Sequence, residues 1–137
     1  MSTLLKIYEK QAYAAMRIMS GFLFLWHGTS KYFSYPRVSP AEGFVLIAGG
    51  GIELIGGLLI MIGLFTSPAA FIASGHMAAA YWISHGTNQF FPILNQGELA
   101  ALYCFVFLFI SSKGDGIWSI AGLLKRQKIP RKRIKIK

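Results

Sequence analysis

The feature of this sequence that most restricts its fold is a long stretch almost without charge. From Gly43 to Ile110 the only formally charged residues are Glu53 and Glu98. Over the whole chain of 137 residues, hydrophobic residues make up 54% and charged residues 14%, against about 25% charged residues in ordinary globular proteins. A chain of this length has room for one domain, and an apolar body of this kind predicts a membrane protein.

Four segments have the length and apolar character expected of helices that cross a bilayer, which takes about 20 residues. They cover residues 12–33, 43–64, 68–86 and 94–112, and proline- or glycine-containing stretches separate them. The sequence therefore predicts an all-α fold, an integral membrane four-helix bundle formed by residues 1–124. The last part of this domain, within GIWSIAGLLKRQK, predicts a short amphipathic helix at the inner interface.

The basic residues are concentrated at the chain ends. Eight of the 14 Lys and Arg residues lie in the last 13 positions, residues 125–137, and Lys6, Lys10 and Arg17 lie near the start. Because positive flanks stay in the cytoplasm, both termini are predicted to be cytoplasmic, with the protein in the bacterial inner membrane. The tail directly follows a predicted span, which favours membrane lipids over nucleic acid as its partner. No cleaved signal peptide is expected, and a lone Cys104 excludes an internal disulfide.

A short motif occurs twice, once at the end of the first predicted span and once at the end of the third. HGTSKYF at 27–33 and HGTNQFF at 85–91 share four of seven residues, and each is followed by a glutamate, in GIEL at 51–54 and GEL at 97–99. Two outgoing helices with the same ending indicate two hairpins, 12–64 and 68–112, related as a parallel repeat. Coincidence in a sequence of biased composition is the alternative.

Placing an ionisable side chain within a membrane span costs free energy, so such residues usually face the interior of a bundle or a cavity. Glu53 lies near the middle of the second span and needs a donor or cation, for which His27, Arg17 and His76 are the candidates. Two readings stay open, a hydrogen bond that fixes helix register and a carboxyl that binds a ligand or relays protons. Lys31 either snorkels to the interface or takes part in binding. The residues predicted to form the ligand-binding or proton-relay site are Glu53, His27, Arg17, Lys31, His76 and Glu98.

Other kinds of site find less support. His27 and His85 are predicted at similar depth and two facing histidines can hold haem, but each lies near a helix end, which argues against haem. No Glu-x-x-His pair indicates a dinuclear metal site. The glycines between Gly43 and Gly63 predict close helix packing, and the same seam offers a surface for a second copy of the chain.

The apolar segments resemble those of the DoxX family of small bacterial membrane proteins. The resemblance runs from about residue 12 to 122. Its most specific parts are R-x-x-x-G and H-G-x-x-K in the first segment, G-G-G-x-E-x-x-G-G in the second and G-E-L-A-x-L-Y in the fourth. Arg17, His27, Lys31, Glu53 and Glu98 occupy the polar positions of that family. One departure is Gly-Asp-Gly at 114–116, where many members carry Gly-Pro-Gly.

This resemblance implies a membrane subunit that binds quinone or associates with an oxidoreductase partner. It leaves open whether the chain is itself catalytic. Two alternatives come from other classes of protein. A glutamate in a cavity at the middle of the membrane is also typical of a small transporter or permeation protein. A basic tail beneath a compact membrane domain is compatible with a scaffold that recruits a soluble partner.

Overall fold

The computed structural model describes residues 6–36, 42–87 and 89–127, and these ranges contain helices and turns but no strand. A 3-10 turn at Lys6–Tyr8 leads into helix α1, Glu9–Phe33, which ends at a left-handed Ser34. The buried residues of α1 recur every three or four positions, at Ala14, Arg17, Gly21, Phe24 and Gly28. They form one face of the helix, which is the face turned toward the rest of the bundle.

The second helical segment covers residues 43–62 and is irregular. It contains two π-helical stretches, Val45–Gly49 and Ile52–Gly56, and continues as helix α2, Gly57–Ile62. Gly63 ends α2 with φ +70°, and its N–H donates to Leu59 O at 3.0 Å. A residue without a side chain adopts this left-handed conformation without steric penalty, which explains why the helix ends there rather than at the predicted residue 64.

The third segment is regular for most of its length. Helix α3, Thr66–Tyr81, continues into a π-helical turn, Trp82–Gly86, so that helical structure ends at 86 as predicted. The fourth segment differs from its prediction of one helix over 94–112. Helix α4, Pro92–Asn95, is separated by a left-handed Gln96 from helix α5, Glu98–Lys113. The helix that packs in the bundle therefore begins at Glu98.

A sixth helix, α6, Ile120–Gln127, follows a turn rich in glycine and corresponds to the predicted amphipathic helix. It includes Lys125 and Arg126, which the sequence placed in the tail. The remainder of the tail, 128–137, lies outside the described residues, as does part of the first loop, 37–41, with Arg37.

The helices pack as two hairpins, α1 against the second segment and α3 against α5. Between them lies a core of aromatic and small side chains, in which the rings of Phe24 and Phe107 are 4.7 Å apart and Ala70 and Ala73 are fully buried. The two-hairpin packing agrees with the sequence pattern, and the symmetry of the proposed repeat stays a prediction.

The all-α class is confirmed. Within the described ranges, none of the helices has both the length and the apolar character needed to cross a membrane. The bilayer-spanning part of the prediction stays a prediction.

Candidate functional site

Glu53 is the centre of a buried polar cluster that joins three helical segments. It lies in the π-helical stretch Ile52–Gly56 and is only 5% exposed. Its Oε1 accepts a hydrogen bond from Lys31 Nζ at 2.6 Å, and His76 Nε2 lies 3.4 Å from the same oxygen. Lys31 comes from the last turn of α1 and His76 from the middle of α3. The contact with Lys31 is the shorter and stronger of the two.

Glycines in α1 and in the second segment allow the close helix packing that this cluster needs. A Cβ on Gly28 would lie 2.5 Å from Leu54 N, next to Glu53, and a Cβ on Gly57 would lie 2.6 Å from Leu25 N. Any larger residue would push α1 away from the second segment and lengthen the contact between Lys31 and Glu53. The predicted packing role of the glycines is therefore confirmed.

The second carboxylate oxygen of Glu53 has a different environment. Oε2 is buried and has no hydrogen-bond partner among the described residues. Glu53 also lines a cavity of about 320 Å³, near the lower end of the range of about 300–1,000 Å³ that is usual for small-molecule sites. The other residues that line this cavity are Phe24, His27, Met77, His85, Gln96, Leu99, Ala100 and Tyr103. An unpartnered buried acceptor beside such a cavity is a place for a ligand that donates a hydrogen bond.

His85 is another polar residue that lines this cavity. Its Nδ1 lies 2.9 Å from the backbone oxygen of Asn95. A carbonyl oxygen can only accept, so Nδ1 carries a proton, and with a single proton on the ring Nε2 is an acceptor. Asn95 is itself held in place, because its Nδ2 donates to Gln89 O at 2.8 Å and its Oδ1 accepts from Gly97 N at 2.8 Å.

The two copies of the repeated motif thus contribute to one cavity, His27 from the first and His85 from the second. The ring of His27 lies edge-on to that of Tyr103, with centroids 6.4 Å apart. Within the described ranges, no group of three or more His, Cys, Asp or Glu side chains is arranged to hold a metal ion. The expectation against haem stays a prediction.

Arg17 is buried but lies outside this cluster. Its guanidinium donates to the backbone oxygens of Ile60 and of Met61 at 2.8 Å, and to Trp118 O at 2.8 Å. It therefore binds the carboxyl end of α2 and the turn before α6, where a positive charge also favours the helix dipole. Glu98 is exposed in the first turn of α5 and is not brought into the cluster either.

Of the six residues predicted for the site, the structure brings together Glu53, Lys31, His76 and His27. Lys31 reaches inward to Glu53 instead of only snorkelling. The prediction missed His85 and Tyr103 as cavity residues. The motif repeat contained the signal for His85, because its partner His27 had already been selected. Tyr103 ends the G-E-L-A-x-L-Y pattern.

Comparison with known proteins identifies a family over the first three helical segments. The family model DoxX matches residues 12–86, which include Arg17, His27, Lys31, Glu53 and His76. The chain belongs to the DoxX family. An uncharacterized protein of Haemophilus influenzae is 41% identical to the chain over 120 residues, which cover 82% of this chain and 90% of that protein. No solved structure matches the chain.

Proposed function

We propose that this DoxX-family chain is a membrane protein of the bacterial inner membrane that binds a quinol in the cavity beside Glu53. The observation that carries the proposal is the buried Oε2 of Glu53, an atom without a partner among the described residues, on a side chain that lines that cavity. Oε2 of a carboxylate paired with Lys31 is an acceptor, and so is Nε2 of His85.

Two acceptors favour a ligand with two hydroxyl donors. A quinol carries two O–H groups on a flat apolar ring, whereas the carbonyl oxygens of a quinone can only accept. The cavity also has the side chains that such a ring needs, since Phe24, Met77 and Tyr103 form apolar walls. Leu99 is half exposed at the rim, and we place the exit of an isoprenoid chain there.

Binding is proposed for this chain alone. Oxidation of the quinol requires an electron acceptor, which an associated oxidoreductase subunit would supply. Glu53 is then the group best placed to take a hydroxyl proton, because its side chain lines the cavity, its Oε2 has no partner among the described residues and its Oε1 is paired with Lys31.

The proposal of a membrane location is supported by the outer surface of the bundle. Large apolar side chains in the middle of α3 and α5 are exposed, among them Phe71 at 64% and Phe105 at 69%. Contiguous apolar surface of this kind is rare on soluble monomers.

The predicted topology is tested with single cysteines in a Cys104→Ser background. A membrane-impermeant thiol reagent should label Thr87→Cys on intact cells and Lys135→Cys only after permeabilisation. Equal labelling of both positions on intact cells would contradict it.

The quinol site is tested by anaerobic titration of the purified protein with decylubiquinol and decylubiquinone. We expect the quinol to bind at least about tenfold more tightly, as for a site whose buried acceptors reject a ligand without donors. In Glu53→Gln the amide oxygen should face Lys31 and the amide N–H₂ should face the cavity, so that the preference reverses toward the quinone. Glu98→Gln makes the same chemical change on an exposed glutamate and should leave both affinities unchanged.

Equal effects of Glu53→Gln and Glu98→Gln would contradict the site, as would the absence of binding of either form. In that case the transporter alternative predicts proton-coupled flux in vesicles that Glu53→Gln abolishes. The scaffold alternative predicts that removal of residues 125–137 prevents recovery of a soluble partner.

A further inference from the structure

A second cavity lies at the opposite end of the bundle from the motif His-Gly-Thr, between the end of α2 and helix α6. Its volume is about 820 Å³. Ile62, Ile120 and Leu123 form apolar parts of its wall, Trp118 lies beside them, and Arg126 contributes a charged group. This cavity is remote from Glu53 and plays no part in the proposed quinol site.

We call this second cavity the inner cleft. Its wall is fixed by hydrogen bonds within the chain, which do not depend on a ligand. Arg17 holds the carbonyl oxygen of Trp118 at 2.8 Å, and Ala121 N donates to Gly63 O at 3.1 Å. The side chain of Ser119 accepts from Gly122 N at 3.1 Å and so caps the start of α6. The cleft is therefore preformed, which lowers the entropic cost of binding.

The backbone conformation of Trp118 is unusual. Its φ is +53°, which is rare for a residue with a large side chain, and the side chain is 62% exposed. Backbone outliers of this kind cluster at ligand-binding positions. Tryptophan is also the side chain that most favours the boundary between acyl chains and head groups.

The charges around the cleft select the ligand. Leu123 and Arg126 are three residues apart on α6 and so lie on the same face of the helix, one apolar and the other cationic. Lys125 is engaged by Asp115 at 3.5 Å, whereas the guanidinium of Arg126 forms no ion pair within the described residues. Six further Lys and Arg residues in positions 128–137 add positive charge at the same end of the chain.

We infer that the inner cleft binds one anionic phospholipid, with its phosphate at Arg126 and an acyl chain against Ile62, Ile120 and Leu123. A free phosphate would satisfy Arg126 but would leave the apolar wall in water, so the cleft fits a lipid and not a soluble anion. The inference rests on the membrane location proposed above and not on the quinol site.

The test uses the full chain in neutral detergent without quinol, so its outcome is independent of the quinol titration and of the labelling experiment. Trp26→Phe and Trp82→Phe leave Trp118 as the only tryptophan, whose fluorescence is quenched by lipids with brominated acyl chains. We expect brominated phosphatidylglycerol to reach half-maximal quenching at about a tenfold lower mole fraction than brominated phosphatidylcholine, as for loss of one charge-assisted hydrogen bond.

Two matched variants identify the source of this preference. Arg126→Gln should bring phosphatidylglycerol to the level of phosphatidylcholine, whereas Arg131→Gln, with the same change of charge in the tail, should leave the preference intact. Leu123→Asn should weaken both lipids. Equal effects of Arg126→Gln and Arg131→Gln would overturn the inference in favour of diffuse attraction to the tail. Competition by glycerol 3-phosphate at the concentration of phosphatidylglycerol would overturn it in favour of a soluble phosphate ligand.

Discussion

Lys31 Nζ lies 2.6 Å from Glu53 Oε1, and this buried ion pair ties the last turn of α1 to the π-helical stretch of the second segment. The pair does two things at once. It neutralises a carboxylate that would otherwise be costly to bury, and it occupies Oε1, so that Oε2 is left without a partner among the described residues. The stability of the first hairpin and the chemistry of the site therefore depend on the same contact.

Removing the cation should destabilise the protein. Lys31→Met leaves Glu53 buried without its shortest partner, and we expect the free energy of unfolding to fall by about 3 kcal/mol. Thermal unfolding of the purified protein measures this. Lys113→Met is the control, because Lys113 is exposed and pairs with Glu9 at 3.8 Å, a contact worth at most about 1 kcal/mol. The double variant Lys31→Met, Glu53→Gln should regain part of the loss. Equal effects of Lys31→Met and Lys113→Met would show that the buried pair does not contribute.

A substitution at His85 can separate the two roles of its ring. These are the hydrogen bond from Nδ1 to Asn95 O and the proposed binding of a ligand at Nε2. In His85→Asn the shorter amide can still donate to Asn95 O but offers no acceptor at the position of Nε2. We expect quinol affinity to fall about fivefold to tenfold, the effect of one lost hydrogen bond, with little change in thermal stability. His85→Phe should lose both affinity and stability. Unchanged quinol affinity in His85→Asn would exclude His85 from the site.

Two glycines of the bundle should respond to alanine in opposite directions. A Cβ on Gly28 would lie 2.5 Å from a backbone nitrogen, whereas a Cβ on Gly75 meets nothing within 4 Å. We expect Gly28→Ala to destabilise the protein by about 1–3 kcal/mol through overpacking. Gly75→Ala should stabilise it by roughly 0.5–1 kcal/mol, because alanine loses less backbone entropy in a helix. Thermal unfolding of both variants gives the comparison, and a destabilisation common to both would contradict the packing argument.

Arg17 was predicted as a site residue, and its position instead gives it a structural role that can be tested. Arg17→Lys keeps the charge but cannot donate to both Met61 O and Trp118 O. We expect a loss of about 2–3 kcal/mol in stability and faster tryptic cleavage near Lys125, with quinol affinity unchanged. A selective loss of quinol affinity at normal stability would instead return Arg17 to the functional site.

The sequence predicted the helical segments well where apolar residues run continuously and a proline or glycine follows. The start of the fourth segment was predicted four residues too early, at Leu94, because Leu94 has the same apolar character as the helix itself. Only the left-handed Gln96 and the contacts of Asn95 show that Leu94 belongs to the separate short helix α4. The π-helical stretches were not predicted, because no hydrophobic period in the sequence distinguishes them from α-helix.

The site was predicted in part for a related reason. Glu53 and His76 stand out because a polar side chain in an apolar helix must find a partner. Lys31 was ambiguous, because a lysine near a helix end can turn toward water or inward with equal ease. His85 was ambiguous too, since its place in the cavity depends on the turn at Asn95.

The cavity takes His27 and Glu53 from the first hairpin and His85 and Tyr103 from the second. A molecule bound there contacts both hairpins and so links them. Occupancy should therefore raise resistance to heat by mass action, about 2.7 kcal/mol at a ligand concentration of one hundred times Kd. The melting temperature of the protein in a membrane should therefore rise with the concentration, in that membrane, of the compound that the cavity binds.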